Sequence, residues 1–466
     1  MKITSGKSTA SPLAVALLAL AALMFWWSRG TDKSLRVRVP GTDLPPGAEA
    51  GATNPVVTGR VIRGDGLPAN LPGAWPSFQG SNRDGISTET GALAKNWDSA
   101  GPREIWQTEV GEGYAGAAVF GGRVFVMDYV HDKRQSALRC LSLADGREIW
   151  RYSYPLSVKR NHGMTRTVPA VTEKFVVAID PKCNVVCVET ASGELKWGLG
   201  MVREFGATVP PWYTGQCPLL DGKAVILAPG GRDALLVAVD FETGKVLWQT
   251  PNPRGWKMTH SSVMPMEFAG RRMFVYCGSG GVVGVSAKDG ALLWETSDWK
   301  ISIATVPSPL VLEDGKIFLS GGYNAGAMML QLRDKSGKLT PHVLFKLTPE
   351  IFGATQHTPI YRGGHIFGVR PDGQFVCLDV SGKVVWASGP SQQFGLGPFT
   401  MAGDLVYAMD GNGKLSLLEA SATRFNVFAQ AQVLKGRESW APMALTGGRL
   451  MVRDLTRMVC LDVRGR

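Results

Sequence analysis

The chain has 466 residues with a net charge of +11, 44% hydrophobic and 19% charged residues. That composition excludes a disordered polyampholyte and leaves room for several ordinary domains or one large closed one. Gly is the outlier at 57 residues, and glycines spread along a whole chain point to many tight turns and many short strands. Residues 1–72 hold eight Lys/Arg against four Asp/Glu; the rest of the positive excess is thinly spread, without the basic stripe that grips nucleic acid.

In chain order, Lys2 and Lys7 precede an uncharged run, 8–28, with an apolar centre at 13–27. Such a run barely reaches across a bilayer, and Trp26 and Trp27 suit the interface at its end. No A-x-A site follows, and no Cys precedes Cys140 to accept a lipid. Residues 1–38 are therefore expected to be an uncleaved signal anchor in the inner membrane, with cleavage and secretion as the alternative. Flanking charge leaves orientation open. Export of the body to the periplasm, or elsewhere outside the cytoplasm, is expected because large domains translocate largely regardless of flanking charge. Residues 39–72, rich in Pro, Gly and Ala, read as a flexible linker, and 73–466 as the folded body.

A pattern then recurs: an apolar strand, a turn ending in Gly, and a strand with Trp four residues later. It appears as CLSLADGREIW (140–150), CVETASGELKW (187–197), AVDFETGKVLW (238–248), GVSAKDGALLW (284–294) and the shorter CLDVSGKVVW (377–386). Degenerate copies start at Gln331, with Phe345 in the Trp role, and near Leu417, with Phe428 as the expected aromatic. The turn glycines from Gly146 to Gly382 step by 47, 51, 46, 47 and 45 residues, a period that means propeller blades. Upstream of each copy lies a hairpin, from VFGGRVFVM (119–127) to LTGGRLMVR (445–453). The Gly-Gly and Asp-Gly pairs supply the positive φ of two-residue turns.

Eight hairpins make eight four-stranded antiparallel blades, so the fold class is an all-β, eight-bladed β-propeller. The final unit has its hairpin and a third strand at 458–463 but no fourth, whereas REIWQTEV (103–110) is a fourth strand without the other three. Their pairing is expected to close the ring and remove its open edges. The recurring Trp is read as packing between blades. Cys140, Cys187, Cys377 and Cys460 fall at equivalent or near-equivalent repeat positions, which favours small buried side chains over disulfides.

AVDFETGKVLW resembles the A-x-D-x-x-T-G-x-x-x-W tryptophan-docking motif of pyrroloquinoline-quinone (PQQ) type propellers, and WPSFQGSNRDGIS (75–87) resembles the opening of bacterial PQQ-like repeat proteins. The resemblance runs from about Trp75 to the end of the sequence. It implies membership of a superfamily holding both quinoprotein alcohol and glucose dehydrogenases and non-enzymatic BamB-like propellers of outer-membrane protein assembly.

Ligand groups in a propeller belong on the loops preceding the innermost strands. Those loops supply Glu112, Tyr114, His162, Arg166, Trp212, Tyr213, Gln216, His260, Thr305, Gln356, His357, Glu438 and Trp440 as candidate central-funnel binding residues. A PQQ dehydrogenase needs Ca²⁺ held by several oxygens and a catalytic base. The funnel offers only Glu112 and Glu438, with no adjacent Cys pair and no C-x-x-C-H haem site. His162, His260 and His357, on alternate blades, are too far apart to share one metal ion, and no catalytic residue is assigned. The expected function is a membrane-anchored scaffold binding a protein or cell-envelope partner, without a cofactor or nucleic acid. The competing expectation is a PQQ- and Ca²⁺-dependent dehydrogenase of alcohols or sugars, and glycan binding is a third.

Overall fold

The computed structural model describes residues 12–28, 57–88 and 91–465. The flanks of the expected anchor and residues 39–56 of the expected linker lie outside the described residues. Pro12–Ser28 forms a 17-residue helix, about 25 Å long at 1.5 Å per residue against a hydrocarbon core of about 30 Å. No helix among the described residues is long and apolar enough to cross a membrane.

The body is an eight-bladed propeller of four-stranded antiparallel sheets, two of which carry one added strand. Blade 1 shows the plan: a short inner strand a (Ala118–Phe120), then b (Arg123–Val130), c (Gln135–Ser142) and outer d (Glu148–Pro155). Gly121 and Gly122, at φ +56° and +70°, make the a–b turn. Strands b and c are buried on both faces because a neighbouring blade covers each side.

The recurring Trp sits at an outer-strand bulge. Cys140 pairs with Trp150, Cys187 with Trp197, Cys377 with Trp386 and Cys460 with Trp106, and the register shifts next to each pair. The bulge re-aims the indole towards the next blade. Trp106 Nε1 donates to Leu143 O at 3.0 Å, Trp150 to Thr190 O at 3.2 Å, Trp197 to Phe241 O at 2.9 Å and Trp386 to Ser421 O at 3.0 Å. For Trp106, Trp150 and Trp197 the indole face lies on the turn glycine of that blade. Gly146 is at φ +72°, and a Cβ there would meet the Trp106 ring at 2.6 Å, so both backbone and space demand glycine. A small residue opposite the indole leaves it room, which explains Cys140, Cys187, Cys377 and Cys460; all seven cysteines are free and buried. Phe345 pairs with Met329 and packs on the Gly382 position, taking the Trp role as expected.

Blade 7 corrects one expectation. The partner of Leu417 is Ala429, not Phe428, whose side chain points outward. The vacated seam between blades 7 and 8 is filled from the N-terminal side. Trp97 stacks on Tyr407 with centroids 6.4 Å apart, and Leu93 pairs with Arg464.

Arg103–Glu109 pairs with Arg457–Asp462 as the fourth strand of blade 8, so the ring closes as expected. Arg103 and Arg464 both bond Asp462, at 3.0 and 2.7 Å, and the Arg464 hydrogen bond holds its carboxyl well below the usual range. Residues expected to belong to the linker behave otherwise. Arg60–Arg63 adds as a fifth strand to the outer edge of blade 1, because Tyr152 and Ser153 present an open ladder there and the Tyr152 hydroxyl bonds Val57 O at 2.8 Å.

Residues 72–87 cross the channel mouth on the a–b turn side. Trp75 exchanges two 2.8 Å backbone bonds with Val119, Pro76 O accepts from Val171 N at 2.8 Å, and Arg83 donates to Leu220 O at 2.6 Å. Gly85 O accepts from Thr400 Oγ1 at 2.8 Å, and Ser87 Oγ donates to Leu445 O at 2.8 Å. The inner strands of blades 1, 2, 3, 7 and 8 thus hold one segment across that opening.

The seam geometry predicts a contrast between two aromatics. Trp106→Ala should cost about 3–5 kcal/mol, the usual range for a buried Trp, read as a lower urea midpoint. Phe428→Ala should stay within about 1 kcal/mol.

Candidate functional site

With the a–b side covered, the other channel mouth is built from the loops preceding each inner strand. Its neck is tied by a belt of hydrogen bonds running blade to blade. From blade 2 to blade 5, the residue two positions before the inner strand donates its backbone N–H to the side chain of its counterpart in the next blade. Val168 N reaches Cys217 Sγ at 3.2 Å, Cys217 N reaches Ser262 Oγ at 2.9 Å, Ser262 N reaches Ser308 Oγ at 3.0 Å, and Ser308 N reaches Thr358 Oγ1 at 2.9 Å. These short polar side chains satisfy buried backbone donors, so they serve the ring.

Above the neck, the turn at 111–116 is clamped at both ends. Asp128 Oδ1 accepts from Gly111 N at 2.7 Å, and its other oxygen bonds Arg139 at 3.1 Å. The Arg453 guanidinium, buried in the blade 8 end, donates to Gly111 O at 2.9 Å and Ala115 O at 3.2 Å. The next loop is stitched alongside: Met164 N bonds Glu112 O at 2.8 Å and Tyr114 N bonds Thr165 O at 2.6 Å. Gly113 permits this approach, since a Cβ there would lie 2.2 Å from Thr165 Oγ1.

On this frame the expected residues divide. Tyr114, Arg166, Glu438 and Trp440 come together. Tyr114 donates to Glu438 at 2.5 Å, stacks on Trp440 with centroids 5.4 Å apart, and carries the Arg166 guanidinium 5.4 Å above its ring. Burial, then Glu438, pushes the Tyr114 phenol well up, so it stays a donor. Glu112 forms a two-pronged ion pair with Arg160 at 2.6 and 2.7 Å. The arc continues through Tyr213, whose hydroxyl bonds Lys159 O, to His260, which bonds Tyr213 O at 3.0 Å and lies 6.3 Å from Trp212. His162, Tyr213 and Glu438 all hold left-handed backbone, at φ +46°, +67° and +57°, a conformation that costs energy and concentrates at binding sites.

The other expected residues stand apart. Gln216 is buried and clips both backbone groups of Ala228, at 2.7 and 2.9 Å. Thr305 is buried and offers its carbonyl to His260 N at 3.0 Å. His162 is exposed and contributes its carbonyl to Arg166. Gln356 and His357 line a small cleft with Thr355, Arg370 and Leu396 between blades 6 and 7, where His357 bonds Leu396 O at 3.0 Å. Arg160 and Arg453 were missed. Arg160 sits in the basic loop KRNHGMTR, and Arg453 ends an apolar strand before Asp454, a position that hides a buried cation among hairpin residues.

The donor set does not fit a cation-polarised quinone. One funnel carboxylate is paired with Arg160 and the other accepts from Tyr114. Among the described residues no group of three or more His, Cys, Asp or Glu could hold a metal ion.

The family described as outer membrane protein assembly factor BamB matches residues 134–387, more than half of the chain. A curated relative, the outer membrane protein assembly factor BamB of Yersinia pestis, is 24% identical over 230 residues, covering 46% of this chain and 56% of that one. The chain therefore matches just over half the length of that relative. Among solved structures, BamB from Moraxella catarrhalis superposes with a TM-score of 0.53 at 12% identity, covering 78% of this chain and 98% of that chain. The computationally designed Ika8 protein gives 0.52 at 10% identity, covering 78% and 100%. These likenesses bear on the fold alone.

The histidines generate a pH prediction. Burial pushes both His260 and His357 down to about 4, with Arg166 adding to the effect at His260. The unfolded chain titrates these groups near pH 6.5, so it binds more protons than the folded one between those limits. Their contribution to stability is complete above about pH 6.5 and is lost as pH falls towards about 4. The urea midpoint of the wild type should therefore fall more steeply across that window than that of a His260→Asn/His357→Asn double variant.

Proposed function

The chain belongs to the family of the outer membrane protein assembly factor BamB, and from that premise we propose that it is a binding scaffold for a protein of the cell envelope. The partner docks on the loop face around Tyr114, Arg166, Glu438 and Trp440. One observation carries this reading: the loops at 111–116 and 160–166 are cross-braced and clamped by Arg453 and Asp128, yet they hold no acid–base pair or ligand set. A rigid frame presenting partly exposed aromatic and charged groups suits recognition, because little entropy is lost when it binds. The segment 72–87 over the opposite mouth directs a partner to the same face. The apolar run at 8–28 tethers the exported body to the inner membrane in this reading, and glycan or quinone chemistry is not needed.

The face is tested by placing a photo-cross-linking residue in the full chain at position 440 or at position 223, an exposed a–b turn site, in native membranes. Adducts from 440 and none from 223 are expected; the reverse pattern would refute the assignment. Trp440→Ala should weaken capture of the cross-linked partner by about 2 kcal/mol or more, as buried interface Trp residues do. The tether is tested by alkaline extraction. The chain should stay in the membrane pellet, and full release would sink that part of the reading.

A further inference from the structure

Among the charged groups of the loop face, Arg166 stands out by what it lacks. Arg160 has Glu112, Arg232 has Asp233, Arg254 has Glu295 and Arg370 has Asp372. Arg139 has Asp128 and Glu148. Arg166 is half-buried and has no carboxylate partner among the described residues. Its guanidinium donates only to two loop carbonyls, Gly163 O at 3.2 Å and His162 O at 2.8 Å. A guanidinium has five N–H donors, so most of the fork remains uncommitted. No carboxylate among the described residues contacts it. Tyr114 lies under it and keeps its proton, His260 is neutral, and Glu438 spends its contact on the Tyr114 hydroxyl and makes no ion pair with the guanidinium. A cation withdrawn from water without an anion is costly unless something completes it.

We propose that Arg166 is the receptor for a carboxylate on the bound partner, with Trp440, backed by the buried Tyr114 ring, receiving an aromatic or apolar group beside it. The inference rests on the loop-face reading above and names the chemistry recognised there. Fork geometry suits either carboxylate or phosphate, and charge balance chooses between them. One unpaired guanidinium fork matches one carboxylate, and the Glu438 carboxylate bonded to Tyr114 disfavours an anion of higher charge beside it. The other buried cation nearby, Arg453, spends its donors on the carbonyls of Gly111, Ala115, Asp454 and Leu455, so a dianion would stay under-neutralised. The carboxylate can come from an acidic side chain or from a chain terminus.

The test uses the full chain in detergent and small probes followed by tryptophan fluorescence and ligand-observed NMR. The probes are N-acetyl-phenylalanine, its carboxamide, phenyl phosphate, and a tripeptide with Glu before an amidated Phe. Wild type should bind the acid at least about tenfold more tightly than the carboxamide. Arg166→Gln should erase that difference, and Arg166→Lys should restore part of it because it keeps charge without the fork. Preference for the free acid over the Glu tripeptide indicates a chain terminus, and the reverse indicates a side chain; either supports the proposal. Equal binding of acid and carboxamide, tighter binding of phenyl phosphate, or a preference that survives Arg166→Gln would overturn it. Circular dichroism and melting of Arg166→Gln separate loss of binding from loss of fold. Should cross-linking at 440 persist while Arg166→Gln captures the partner normally, the carboxylate idea fails and the docking face stands. Loss of cross-linking at 440 in the wild type removes the face itself.

Discussion

The pairing of Arg103–Glu109 with Arg457–Asp462 is the constraint on which the molecule depends. Each blade buries its faces only against its neighbours, so an open ring would expose two blade faces and an unpaired ladder. The latch does three things at once. It supplies the missing outer strand of blade 8, places Trp106 on Gly146 of blade 1, and leads directly into the turn at 111–116. Closure and the site are therefore neighbours in the chain, and the same stretch that completes the ring positions Tyr114.

The seams at Gly146, Gly193, Gly244 and Gly290 share one logic. An outer-strand bulge aims an indole at the next blade, a turn glycine accommodates it, and a small residue stands behind it. Where blade 7 abandons the pattern with Ala429, the chain restores the lost volume with Leu93 and Trp97 from before the latch. The same N-terminal stretch adds a strand to blade 1 and covers the mouth on the a–b turn side. Material that reads as a tether is in part a brace.

What was legible in the sequence was what repeats. Turn glycines and tryptophans at fixed offsets reveal blades because each must serve the same packing, and a fourth strand without its companions foretells the latch. Arg60–Arg63 was not legible, since four residues without periodicity carry no strand signal and pair only because blade 1 leaves an edge open. Phe428 misled because a bulge shifts the register by one residue, which moves a side chain to the opposite face. In the site, position before an inner strand points to Tyr114, Arg166, Glu438 and Trp440, which the structure brings together. It could not separate them from Gln216 and Thr305, which hold the same loop positions but are buried, Gln216 with its amide clipped to the backbone of Ala228. That distinction depends on side-chain direction, which spacing does not encode. The segment 75–87 carries a family resemblance, but its place across the channel follows only from long-range bonds to Val119, Val171 and Leu220.

The most direct measurement is native-state hydrogen exchange of the full chain, followed by mass spectrometry. If the ring is closed and braced as described, amides in 103–109, 457–462 and 75–87 exchange together, at the rate of global unfolding, and as slowly as the central strands. Rapid exchange confined to 103–109 and 457–462, with the middle blades still protected, would show the latch standing open and would contradict the account.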